Sequence, residues 1–125
     1  MPHLDQFVAD IRKRANGKVP TARTWFGFTS VHSFALAAEQ AKTLDGLKLA
    51  QTLADLELPP EVKLQPNKVY YRKGDHQLMT SAFVGEALGK PAGDPEDLFK
   101  VDTVIAGDST SPPVSETGCA MQMPT

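Results

Sequence analysis

The sequence predicts a mixed chain: α+β as it stands, or the closing piece of a larger α/β protein whose main sheet lies elsewhere. Two observations carry this. Up to Leu58 the apolar residues recur at helical spacing, and after Pro60 they alternate with period 2. The order is therefore three helices followed by short strands. Composition sets the scale: 125 residues, 41% hydrophobic and 22% charged, make one average globular domain with room for a single modest core.

The first helix is read from Leu4, Phe7, Val8 and Ile11, which share a face. Asn16-Gly17 supplies a left-handed stop, and Pro20 follows. Arg12, Lys13 and Arg14 fall at its C-terminal end, where the helix dipole favours cations. The second helix spans about residues 22 to 44, with Thr21 as its cap. Trp25, Phe28, Val31, Phe34, Ala35, Ala38 and Ala41 form a wide apolar face, predicted to be the centre of the core. The third helix covers roughly residues 46 to 56, capped by Asp45 and ended by Leu58-Pro59-Pro60.

Beyond Pro60, Val69 to Arg72 reads as a short strand with one tyrosine inward and one outward. Lys73-Gly74-Asp75 is a turn, and Asp75 caps one helical turn through Leu78. In the strand from Ser81 to Leu88, Ala82, Val84 and Leu88 face one way and Phe83, Gly85 and Ala87 the other. A loop over residues 89–97 leads to a last strand carrying Phe99, Val101, Thr103 and Ile105, and the two strands are expected to pair antiparallel. Residues 107–125, rich in Ser, Thr, Pro and Gly, read as an irregular tail.

Several functions are disfavoured at this level. A net charge of −2 provides no basic excess for a phosphate backbone, so no nucleic-acid partner is expected. No apolar run approaches the roughly 20 residues that span a bilayer. There is no G-x-G-x-x-G, P-loop or G-x-S-x-G motif. His3, His32 and His76 lack metal-ligand spacing, and one cysteine makes no structural zinc site. No cofactor or metal is expected, and because no base has an evident partner the chain is not read as an enzyme. Cys119 is either an idle thiol or half of a disulfide whose partner lies outside this chain.

The candidate ligand-binding residues are Arg23, Thr24 and Trp25, which open the long helix. A helix start offers free N–H groups and a positive dipole end, Arg23 adds a guanidinium that grips carboxylates, and Trp25 lines an apolar ligand body. The alternative is a solvated Arg23 beside a core Trp25. His32 is read as a packed histidine on the Phe28 face. Asp75-His76-Gln77 is read as a turn in which Asp75 accepts backbone N–H bonds.

The stretch TWFGFTSVHSFALAAEQAKTLDGLKLAQTLADLELP resembles the C-terminal region of periplasmic substrate-binding proteins of the branched-chain amino-acid (type I) class, which serve ABC importers. The resemblance rests on four motifs in order: Trp25-Phe26-Gly27-Phe28 opening an alanine-rich helix; Asp45, Leu49, Ala50 and Leu53; Asp75-His76-Gln77-Leu78; and Val84-Gly85-Glu86. It covers about residues 5 to 105. It implies that residues 1–106 are part of the C-terminal lobe of a two-lobed receptor that closes on its ligand, with 107–125 as tail. Ligand contact then falls at Arg23, Thr24 and Trp25, and the ligand is an amino acid or an aromatic carboxylate. The ABC permease is the implied partner and the periplasm the implied location.

The family's signal peptide, N-terminal lobe and first strands of the second lobe have no counterpart in this sequence. The expectation is a truncated receptor that self-associates through unpaired strand edges and apolar faces. The resemblance also favours Cys119 as half of a disulfide with a cysteine outside this chain. The polar start MPHLDQFVADIRKRANGK has no apolar signal region, so the alternative is a cytoplasmic binding or regulatory module without a transport role.

Overall fold

The computed structural model describes residues 1–54, 56–89 and 93–122. The order is α1 (Pro2–Arg14), α2 (Ala22–Ala41), α3 (Gly46–Leu53), α4 (Pro60–Lys63), β1 (Tyr70–Tyr71), β2 (Leu78–Met79), β3 (Ala82–Ala87), β4 (Phe99–Ile105) and α5 (Gly107–Thr110), then a 3₁₀ turn at Val114–Glu116. The fold is α+β: helices first, then two antiparallel two-stranded sheets, β1–β2 and β3–β4.

The helix boundaries follow local chemistry. α1 ends in a left-handed pair, Asn16 and Gly17. α2 starts in a reciprocal cap: the Thr21 side chain accepts from the Thr24 N–H, and the Thr24 hydroxyl accepts from the Thr21 N–H. It stops at Ala41, three residues before the expected end, because Lys42 turns left-handed. Asp45 caps α3, which ends at Leu53 rather than near Leu56. The Leu58-Pro59-Pro60 punctuation does more than end a helix. Pro60 sits in the first turn of α4, where its missing N–H costs nothing.

The core lies under α2 rather than around it. Leu58, Val62 and Val69 form its buried centre, and Trp25, Phe28, Leu36, Leu56, Tyr71 and Leu78 pack on them. The segment before α4 is held to the β1 region by Leu58 N–H to Val69 O at 2.8 Å and Tyr71 N–H to Leu56 O at 3.3 Å. α1 joins through the Phe7 ring, 4.9 Å from that of Phe28. The expectation that Val31 and Phe34 lie at the core's centre is overturned: they are 70% and 52% exposed. The turns of α2 that face inward carry Thr29, Ser33 and Ala37 instead.

One expectation beyond Asp75 is corrected. No helical turn runs to Leu78; His76 is left-handed and Leu78–Met79 is strand β2. The part of 107–122 nearest the strands docks on them. Gly107 lies so close to Thr80 that a Cβ would sit 2.8 Å from that residue's N and O. Tyr70 donates its hydroxyl to Asp108 at 2.7 Å, and Arg72 Nη1 donates to Pro112 O at 2.9 Å. Such polar anchoring leaves no periodic trace in a sequence.

β3 and β4 pair as expected, with one irregularity. Val84 pairs with Thr103 and Gly85 with Val101, so Asp102 is an extra residue on β4. At the bulge, Gly85 runs against the partner backbone, and a Cβ there would lie 1.9 Å from Lys100 O. The register puts Phe83, Gly85, Ala87, Phe99, Val101 and Val104 on one face, without a charge. The other face carries the cross-strand pair Glu86 and Lys100.

Candidate functional site

The start of α2 separates the three candidate residues. Thr24 is committed to the cap. Trp25 turns inward, packs on the Leu58–Val62–Val69 cluster and donates its indole N–H to Val62 O at 3.3 Å. Arg23, at about 100° per residue, lies about 160° round the helix from Trp25. It is exposed and has no hydrogen-bond or ion-pair partner among the described residues. The helix thus presents a guanidinium on its outer side and an indole on its inner side.

Each side leads to a surface. On the inner side, a groove of about 280 Å³ lies between Leu4 and Phe7 of α1, Trp25, the Leu64–Pro66 loop and Phe83 of β3. Polar groups at its wall have partners: Thr21 in the cap, Gln65 Oε1 as acceptor from Thr80 Oγ1 at 2.8 Å and Ser81 N–H at 3.0 Å, and the Met1 ammonium as donor to Asp5 at 3.4 Å. The groove therefore suits a mainly apolar body. On the outer side, Arg23 heads a stripe of Gly27, Val31, Phe34 and Ala38 along one face, at successive spacings of three and four. From Gly27 to Ala38 that stripe carries no charge, and its two large side chains are solvent-facing.

A second polar cluster closes the β1–β2 turn. Arg72 Nε donates to Asp75 Oδ1 at 3.0 Å, Nη2 donates to Oδ2, and Gln77 N–H donates to Oδ1 at 3.2 Å. The Arg72 side-chain hydrogen bond, with the Gln77 N–H, holds the Asp75 carboxyl below the usual carboxylate range against the opposing effect of burial. Asp75 in turn raises the Arg72 pKa. Every partner here is a turn or tail group, so the cluster is a structural clamp, as the reading of Asp75 anticipated.

Among the described residues no three His, Cys, Asp or Glu side chains gather into a metal-holding group. His32 stacks on Phe28 with ring centroids 4.2 Å apart, but from an exposed position. No helix among the described residues is long and apolar enough to cross a membrane. The sequence reading expected unpartnered apolar faces and an apolar role for Trp25, but did not place the outer stripe of α2 or the α1, Leu64–Pro66 and Phe83 walls of the groove. The available signal was that α2 holds more large apolar residues than one face accommodates. Comparison with family models, curated proteins and solved structures finds no match to this chain.

Proposed function

We propose that the chain is part of the C-terminal lobe of a solute receptor of the branched-chain amino-acid-binding type, serving an ABC importer and taking a small amino acid or aromatic carboxylate. The observation that carries this reading is the outer face of α2. A surface helix normally turns its large apolar residues inward, and a helix apolar all round belongs in an interior. Here Thr29 and Ser33 face in while Val31 and Phe34 face out. That pattern supports α2 as an inner helix of a larger lobe, with a sheet from elsewhere on its outer face. The unpaired Arg23 at the head of the stripe then meets the ligand carboxylate, helped by the positive end of the helix dipole. The chemistry is binding alone: ligand that touches both lobes stabilises the closed state, which the permease reads. This reading carries a periplasmic location.

The test is a melting-temperature panel of amino acids and aromatic carboxylates on the chain and on Arg23→Ala. A ligand at 100 times its Kd adds about 2.7 kcal/mol to stability. A rise with one carboxylate that Arg23→Ala abolishes supports the reading. A flat panel, or a rise that Arg23→Ala leaves intact, rejects Arg23 as the ligand anchor in this chain. The accessible surface favours a second reading, a self-associating module without a transport role: the chain exposes 8416 Å², where a compact monomer of its mass exposes about 6500 Å².

A further inference from the structure

We propose that the outer edge of β3 pairs antiparallel with β3 of a second copy of the chain, joining two hairpins into one four-stranded sheet. The inference begins with a comparison of strand edges. β1 and β2 are two residues long; β1 is already bridged to Glu57, and the chain beyond β2 is covered by Gly107 at Thr80. The outer edge of β4 is guarded twice, by the Asp102 bulge and by the Lys100–Asp102 ion pair at 2.9 Å. Bulges and edge charges are devices that block strand addition. β3 has neither device near its middle. It is six residues long, contains no proline, and carries one charge, Glu86, toward its end. Its only sheet partner among the described residues is β4, so its other edge presents unpaired N–H and C=O groups.

A second copy fits this edge by symmetry and by area. A two-fold axis through Val84 sets Val84 against Val84, Phe83 against Gly85 and Ala82 against Glu86 of the other chain, so that opposed residues share a face. No like charges oppose one another. The charge-free hairpin face, with Phe83, Phe99 and Val101 each 45–46% exposed, doubles into one continuous apolar surface. An isolated two-stranded hairpin is marginal in water, whereas more strands with a common apolar face support one another. The surface exceeds that of a compact monomer by about 1900 Å². A stable dimer takes only about 800 Å² from each partner.

The experiment is light scattering and sedimentation equilibrium on the chain, on Val84→Lys and on Val31→Glu. The expected result is a mass twice the chain's 13.5 kDa, kept in Val31→Glu and halved in Val84→Lys, with circular dichroism showing all three folded. Amide exchange on the unmodified chain provides a reading that needs no variant: β3 amides lose protection when the dimer is diluted to monomer. A monomer at every concentration overturns the proposal. So does open-ended aggregation, or exchange at β3 that ignores concentration. A dimer broken by Val31→Glu and kept in Val84→Lys moves the contact to α2 and also overturns it. The readout is mass and amide protection, so it stands or falls apart from the carboxylate panel.

Discussion

The indole N–H of Trp25 donates to the carbonyl of Val62 at 3.3 Å, joining the first turn of α2 to α4 across 37 residues of chain. The same side chain rests on the buried cluster, so one residue supplies both apolar area and a polar tie. Trp25→Phe keeps an aromatic ring and removes the donor, leaving Val62 O without that partner. The expected loss is about 1–2 kcal/mol in urea unfolding. A larger loss would assign the dominant contribution to ring volume.

Leu58 is 1% exposed and lies in the cluster with Val62 and Val69. Leu58→Ala removes packed methyl groups and leaves a cavity, at an expected cost of about 2–5 kcal/mol. Val31→Ala, 70% exposed in this chain, is expected to stay within about 0.5 kcal/mol. The contrast is read from paired denaturation curves at low protein concentration.

Acid sensitivity follows from two carboxylates. Asp75 is lowered chiefly by the Arg72 hydrogen bond, and Asp94 by the Glu96 N–H and then by Arg12, which donates to it. A carboxyl with a lower pKa folded than unfolded contributes stability that is fully present above its unfolded value of about 3.9 and is lost as pH falls through the folded value. Stability is therefore expected to fade below about pH 4. Urea midpoints measured across that range should flatten in Asp75→Asn.

The reciprocal cap at α2 gives a local test. Thr21→Ala removes the acceptor for the Thr24 N–H and should cost about 1 kcal/mol. Arg23→Ala, two residues on and exposed without a partner among the described residues, should leave thermal stability within about 0.5 kcal/mol. This neutrality makes the arginine variant a clean probe of ligand binding.

What could be read from sequence was whatever repeats or caps. The three long helices announce themselves through the Leu4–Phe7–Ile11 spacing, the Thr21 and Asp45 caps and the Asn16-Gly17 stop. The β3–β4 pair announces itself through alternation. The location of the core was not readable, because α2 carries large apolar residues on both sides and its inward turns hold Thr29 and Ser33. α4 was hidden because Pro60 reads equally as a stop and as a start. The docking of Asp108 and Pro112 depends on Tyr70 and Arg72 some forty positions earlier, a relation without periodicity. Of the candidate trio, local sequence identified the helix start correctly, but helical rotation sends Arg23 and Trp25 to opposite sides.

The supernumerary Asp102 gives β4 an unusual freedom in length. Removing one residue from the middle of a strand ordinarily inverts every side chain on one side of the cut, exchanging buried for exposed positions. Excising Asp102 does the reverse. Val101 still meets Gly85 and Thr103 still meets Val84, now in an unbroken ladder, and every side chain keeps its face. The loss is a solvent-exposed ion pair with Lys100, of small energetic worth, together with the protection that the bulge and this charge give the outer edge of β4. A deletion at this one point of the strand therefore changes the curl of the hairpin without changing which side chains it shows to its surroundings.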